Sequence, residues 1–457
     1  MFDVSTAGLI ITLLIILVLL GVHVAVALGM TSAVGIFLAT GKLRIVEATL
    51  ASTAAEALRD FTFAVIPLFM LMGEFIGRSG AISDLYVAIN KGLRSIPARL
   101  GIATVLGNTI FSFVTGVSIA SAAAFSRIAY PEMKAHNYDR GFALGTIAGS
   151  SCLGMLIPPS VLMIVWGILT EQSIGRLFLA GVLPGILLAG LFILFIVTMA
   201  ILRPDLVGEG RAVTTVGTGG DVIDGTPDSI HDSTKVELTV EQFLSSAIGV
   251  VGIIVAVLGG IWWGVFTPTE GAGAGAALAL VFAVYKGMRW REFITAIYAV
   301  GKTAAPILIL LFAAALYSRT LAMTGVTTVI RTFFVDSGYG PLTVLVIILL
   351  IWFLLGMIID SISIMLLSVP ILAPVAVAFG FDQVSFAIIG IIAIEAGLLT
   401  PPFGILIYTV KAAIQDDDVG IQRIFLSSAP YWIIMLVTVV LIVAFPKIAT
   451  FLPDLLM

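Results

Sequence analysis

Asp360 stands between two apolar runs, in the stretch Gly356-Met357-Ile358-Ile359-Asp360-Ser361-Ile362-Ser363. A carboxylate in such surroundings is costly to keep and marks a functional position by default. Together with hydroxyls and freed backbone carbonyls it supplies the hard oxygens that sodium wants. A related stretch, Gly116-Val117-Ser118-Ile119-Ala120-Ser121, carries Ser118 and Ser121 but no acid. Taken alone, those two serines read more readily as packing residues.

Two further stretches free the carbonyls. One is Ser150-Ser151-Cys152-Leu153-Gly154-Met155-Leu156-Ile157-Pro158-Pro159-Ser160; the other is Glu395-Ala396-Gly397-Leu398-Leu399-Thr400-Pro401-Pro402-Phe403-Gly404. Each proline lacks an N–H and crowds the carbonyl four residues back, so Gly154 and Met155 lose their helical donors. The residue before each proline is pushed toward extended backbone. Half-helix C-termini suit a cation, and the N-termini that restart after Pro159 and Pro402 suit an anion. One such double proline reads equally as a tolerated kink. Two, one in each half of the chain, point to a transport site at mid-membrane. No Ser–His–Asp set, phosphate loop or metal motif accompanies them, so the expectation is that the chain is not an enzyme.

The elements that must hold these residues are membrane helices. Of 457 residues 60% are hydrophobic and 11% charged, against about a quarter charged in a soluble domain. Mean hydropathy is +1.17. Apolar runs near helix-spanning length recur throughout, implying an all-α polytopic protein with roughly ten to twelve spans. The net charge of −4 is small, and no basic tract suggests nucleic acid. Cys152 is the only cysteine and reads as a small core residue; His23, His136 and His231 are too far apart in sequence to read as a metal site. No lysine or arginine precedes Lys42, so the first apolar run reads as a retained span rather than a cleaved leader.

Residues 42–60 read as an amphipathic interfacial helix, and 84–99 look interfacial as well. Residues 101–130 are apolar but rich in Ser, Thr and Gly, which fits a plain span or a re-entrant hairpin. Residues 203–241 are acidic and poor in large apolar groups, which reads as a solvated tether. Glu74, Glu395 and Arg319 read equally as structural partners and as functional groups.

The halves match in order. Pro67 aligns with Pro306, Gly80 with Gly325, Gly116 with Gly356, Gly154 with Gly397, and Pro158-Pro159 with Pro401-Pro402. Arg176, Phe178, Leu179 and Pro184 then find Arg423, Phe425, Leu426 and Pro430. This register sets Asp360 opposite Ala120 and Ser361 opposite Ser121. An internal duplication favours the hairpin reading of 101–130. It divides the chain into a first repeat, 1–202, with a hairpin at about 101–130 and a broken helix at about 141–171. The linker 203–241 follows. The second repeat, 242–457, has its hairpin at about 341–380 and its broken helix at about 384–415.

At these residues the chain resembles the large membrane subunit of the tripartite ATP-independent periplasmic (TRAP) transporters, the DctM-type permeases. The likeness is carried by Ile66–Leu85, Gly116–Met133, Gly149–Gly167, Gly356–Val375 and Glu395–Tyr408. It implies inverted repeats with two re-entrant hairpins, in an ion-transporter fold where a transport domain slides as an elevator against a scaffold. It implies sodium-coupled import of an organic acid, such as a C4-dicarboxylate or sialic acid. A periplasmic binding protein would deliver the acid, beside a separate small four-helix membrane subunit, in a bacterial or archaeal inner membrane.

Carried over by position, a first sodium site would use Ser118, Ser121, Gly154 and Pro158. A second would use Asp360, Ser361, Gly397 and Thr400. The substrate would lie near Ser151, Ser160, Ser363 and Pro402. Moving one charge through 100 mV is worth about 2.3 kcal/mol, so a dicarboxylate entering alone climbs about twice that. Two sodium ions make the step neutral, and a third lets the potential drive it. A free-standing carrier of the same fold and a membrane subunit of a redox-driven ion pump are the rival readings.

Overall fold

The computed structural model of the chain describes residues 4–208, 240–414 and 416–457. Every regular element among them is helical. The first apolar run is split into α1 (Val4–Leu19) and α2 (Val24–Thr40) at Gly21, whose φ of 79° few side chains tolerate. α3 (Leu43–Arg59) is an amphipathic arm that buries Val46 and Thr53. α4 (Val65–Arg78) and α5 (Ala81–Gly92) turn at Gly80. α6 (Arg99–Thr115) and α7 (Ser118–Ala135) pack together as a helical pair. Next come α8 (Arg140–Ser151), the short α9 (Leu153–Leu156), α10 (Val161–Thr170) and the long α11 (Ile174–Leu202).

After the linker, α12 (Val240–Ile254) runs through a π-helical turn into α13 (Gly260–Trp262). α14 (Pro268–Tyr285) and α15 (Trp290–Thr324) follow, and α15 meets α16 (Val326–Asp336) at left-handed Gly325. α17 (Pro341–Gly356) pairs with α18 (Ser361–Ala378). α19 (Gln383–Gly397), α20 (Ile405–Ala413), α21 (Ile421–Ala444) and α22 (Lys447–Leu456) complete the chain. Positions matched between the halves play similar local parts. Gly80 and Gly325 are both left-handed joints, and Pro158–Pro159 and Pro401–Pro402 both carry a cis peptide bond.

Seven stretches among the described residues are long and apolar enough to cross a membrane, fewer than the ten to twelve expected. The shortfall falls on shorter apolar helices, among them α6, α17 and α19. α17, with 16 residues, extends about 24 Å at ~1.5 Å per residue, short of a ~30 Å hydrocarbon core. The linker reading also needs correction at its ends. Pro204–Val207 forms a 3-10 turn with Val207 buried, and the Asp139 N–H donates to the Leu206 carbonyl at 2.9 Å. Glu241 already belongs to α12. The remainder of that stretch, 209–239, lies outside the described residues.

The broken helices, not the outer ones, form the middle of the protein. The most apolar window of 140–170 is 89% buried, against 33% for α11 and for α21. Small residues bring the neighbours in. A Cβ on Gly145 would stand 2.4 Å from the Ser427 carbonyl oxygen, and one on Gly149 would stand 2.2 Å from the Tyr431 ring. Thr146 Oγ1 and the Tyr431 hydroxyl then meet at 2.7 Å, and Phe192 and Phe195 pack on the same ring. Overpacking a close-packed core costs roughly 1–3 kcal/mol. Gly149→Val is therefore expected to lower the thermal midpoint by several degrees; an unchanged midpoint would mean that α8 and α21 separate freely.

At one end of this core Asp416, on the loop after α20, ties three helices together. It accepts from Lys134 Nζ at 2.7 Å, the Tyr130 hydroxyl at 2.8 Å and Arg140 at 3.3 Å. The Lys134 ammonium and the Tyr130 hydroxyl hold its carboxyl down from 3.8 to about 2. A depressed folded value makes this contribution whole above the unfolded value, and it fades as pH falls through the folded one. Asp416→Asn should accordingly unfold at a lower temperature than the parent at pH 7. The gap should persist to about pH 5 and close between pH 4 and 2. A gap independent of pH over that range would show that the carboxylate charge is not what holds these helices.

Candidate functional site

The two proline pairs dispose of their freed carbonyls differently. At the first break, Ile157 and Ser160 are extended, and Ser160 starts α10 by accepting from the Met163 N–H at 3.4 Å. The same hydroxyl donates to the Met155 carbonyl, the one freed by Pro159. Pro158 leaves the Gly154 carbonyl without its helical donor. At the second break, the carbonyl freed by Pro401 belongs to Gly397. It accepts from the Thr400 N–H at 3.0 Å and from Thr400 Oγ1 at 2.6 Å. Both lone pairs of the Gly397 oxygen are thus engaged, while the Thr400 hydroxyl keeps its own.

Each helical pair presses its tip into one of these breaks. Gly116, left-handed at φ 62°, accepts from the Val161 N–H at 3.1 Å. A Cβ on Gly116 would stand 2.1 Å from the Pro159 oxygen. Gly154 faces the start of α7, where a Cβ would lie 3.1 Å from both the Ser118 nitrogen and Ser121 Oγ. In the second half Gly356 and Gly397 touch backbone to backbone, since a Cβ on Gly356 would stand 2.8 Å from Gly397 Cα. The Phe403 N–H donates to the Met357 carbonyl at 3.2 Å. Ser118, Ser121 and Gly154 are therefore brought together next to the Pro158–Pro159 pair, and Gly397, with Thr400 bonded to it, lies against Gly356 at the tip that leads to Asp360 and Ser361.

The helix starts correct the sequence register. α7 begins at Ser118 with Val117 as its cap residue, and α18 begins at Ser361 with Asp360 as its cap residue. Structurally Asp360 stands opposite Val117, and Ser361 stands opposite Ser118, three residues away from the sequence alignment. The cause is the length of the tips: α6 stops at left-handed Gly116, whereas α17 stays helical through Gly356 and needs a longer turn. Asp360 is half-buried, and its Oδ1 accepts from the Ser363 N–H at 3.0 Å. The start of α7 has no side-chain cap and no acid in its first turn.

Of the positions assigned to substrate, Ser151, Ser160 and Ser363 are buried. Ser151 Oγ donates to the Ala148 carbonyl at 2.6 Å. Pro402 is exposed beside Pro401 and Phe403. The N-terminus of α10 is not open to an anion as the sequence suggested. The Val161 N–H serves Gly116, the Met163 N–H serves Ser160, and the whole turn is buried. The exposed tip residues are instead Ile119, Ala120 and Ile358.

The residue that sequence reasoning left undecided is Glu395. It is 1% exposed, and its Oε1 accepts from Ser361 Oγ at 2.7 Å. The Ser118 hydroxyl lies close to the same carboxylate, outside hydrogen-bond geometry. Glu395 Oε2, Ser118 Oγ and Ser121 Oγ are buried without hydrogen-bond partners among the described residues. Its place two residues before the matched Gly397 was the available signal. Glu74 and Arg319 resolve as structural: Glu74 pairs with Arg78 at 2.6 Å on the surface of α4. Arg319 joins Glu56 and donates to Thr53 Oγ1 at 3.0 Å, fastening α3 to α15.

Set against known proteins, residues 11–448 match the family described as tripartite ATP-independent periplasmic transporter, DctM component. The C4-dicarboxylate TRAP transporter large permease protein DctM of Rhodobacter capsulatus is 29% identical over 99% of each chain. The sialic acid TRAP transporter large permease protein SiaM of Vibrio cholerae is 28% identical, covering 92% of this chain and 93% of that one. Among solved structures, the YdaH transporter of Alcanivorax borkumensis superposes with a TM-score of 0.64. At 13% identity over 90% of each chain, that likeness concerns the fold alone.

Proposed function

The chain belongs to the DctM component family of the tripartite ATP-independent periplasmic transporters, a large permease of the multi-pass inner-membrane type, and from that membership we propose that it imports an organic acid coupled to sodium. The observation that carries the reading is the set of buried oxygens where tips and breaks meet: Ser118 Oγ, Ser121 Oγ and Glu395 Oε2, all without hydrogen-bond partners among the described residues. Hard, partly anionic oxygens beside freed carbonyls fit an alkali cation. Ser118, Ser121 and the Gly154 carbonyl would hold one sodium ion. Asp360, Ser361 and Thr400 would hold another. Bound there, sodium would supply positive charge beside an incoming carboxylate.

The start of α7 is the candidate seat for that carboxylate. It is uncapped, it carries no acid, and Ile119 and Ala120 beside it are exposed. Helix N-termini favour anions, and the start of α18 already has Asp360 on it. Permeases named for C4-dicarboxylate and for sialic acid both take a carboxylate, which is the substrate class proposed here. The inverted-repeat arrangement and elevator movement belong to the same proposal. Their support is that α2, α3, α4, α14 and α15 pack chiefly on one another, and meet the tips and breaks through α4 against α6 and α15 against α18.

A periplasmic binding protein and a small four-helix subunit complete the proposed system. Purified chain with that subunit, reconstituted into proteoliposomes, should take up labelled acid only with binding protein and an inward sodium gradient. Full uptake by this chain alone would replace the reading with a free-standing carrier. Equal uptake on a potassium gradient would remove sodium from it.

A further inference from the structure

The sodium ligands carried over from sequence include one carboxylate, Asp360, and that group already caps α18. The acid at the meeting point of the halves is Glu395. Resting on the sodium reading above, we infer that Glu395 is the countercharge shared by both cation sites. Its Oε1 accepts from Ser361 Oγ, and its Oε2 is buried without a hydrogen-bond partner among the described residues.

Three observations support this. First, Glu395 is fully buried yet belongs to none of the ion pairs among the described residues. A buried carboxylate without a cation is strongly disfavoured and is relieved either by a proton or by a bound cation; the hydroxyl oxygens around this one suit the cation. Second, the Ser118 hydroxyl beside it, buried and without a hydrogen-bond partner among the described residues, comes from the opposite half of the chain. Third, the two halves supply one such acid between them. Matching Gly154 with Gly397 sets Cys152 opposite Glu395, and the two positions touch, with Cys152 Sγ 3.9 Å from the Glu395 carbonyl oxygen. Ser118 and Ser361, equivalent as first residues of their helices, both lie beside the carboxylate. A single charge at that junction would serve both sites: the Ser118–Ser121 set has no carboxylate of its own, and Asp360 in the other set already caps α18.

The test is the thermal midpoint of the purified full chain against sodium concentration, with ionic strength held constant by choline chloride. The parent protein should be stabilised by sodium. Glu395→Gln should raise the sodium concentration for half-maximal stabilisation at least tenfold, and Glu47→Gln on exposed α3 should leave it unchanged. A Glu395→Gln titration within twofold of the parent would overturn the inference while leaving sodium coupling intact. No sodium stabilisation of the parent at all would overturn the sodium reading itself. Should Glu395→Gln yield no folded protein, Glu395→Asp carries the decision: it keeps the charge but draws it back by one methylene, so a shared countercharge requires a raised half-maximal concentration, and a titration within twofold of the parent contradicts it.

Discussion

Gly116→Ala is expected to reach the membrane folded and to lose at least nine-tenths of sodium-driven uptake. The added methyl would stand 2.1 Å from the Pro159 oxygen, a backbone atom that no rotamer change can move aside. The residue also holds φ at 62°, where a side chain costs roughly 1–3 kcal/mol. Relief requires the tip to withdraw from the break, which parts the Gly116 carbonyl from the Val161 N–H and draws Ser118 away from Gly154. Gly190→Ala on α11 is the control, since nothing lies within 4 Å of the methyl it would add. Uptake by Gly116→Ala equal to that control would mean that the close approach of tip and break has no part in transport.

The second large effect separates two roles of Asp360. Asp360→Asn keeps an oxygen for the Ser363 N–H and removes the charge. It should fold with an unaltered midpoint and need at least tenfold more sodium for half-maximal uptake. Asp360→Ala removes the cap as well, which costs about 1 kcal/mol, so its thermal midpoint should fall in addition. If Asp360→Asn shows the parent's sodium dependence, Asp360 is a helix cap and nothing more.

Much of the site was legible in the chain because proline chemistry is local. Two Pro-Pro pairs in apolar sequence require broken helices wherever they fold, and the carbonyls they free can be named from position alone. What the sequence hid is where those groups find partners. The Ser160 and Thr400 hydroxyls each reclaim a freed carbonyl, and nothing in residue spacing distinguishes that use from ligation. The three-residue error in pairing Asp360 with Ala120 has a similar source, because alignment by glycines does not register that one helix runs on past its glycine. Glu395 stayed open between a structural and a functional part because Ser361, which donates to it, and Ser118, which lies beside it, are on other helices. The Asp416 cluster joins groups up to 286 residues apart, beyond any local pattern. Nothing in the sequence singles out Gly145 and Gly149, and only α21 lying against them shows their purpose.

Equilibrium binding of radioactive sodium to the purified chain, in a choline background, tests the assignment most directly. At least two ions per chain should bind. Ser118→Ala and Asp360→Asn should each weaken that binding, and Gly190→Ala should not. Binding no greater than that left in the presence of excess unlabelled sodium, or binding that neither substitution alters, would contradict the placing of sodium between the tips and the broken helices.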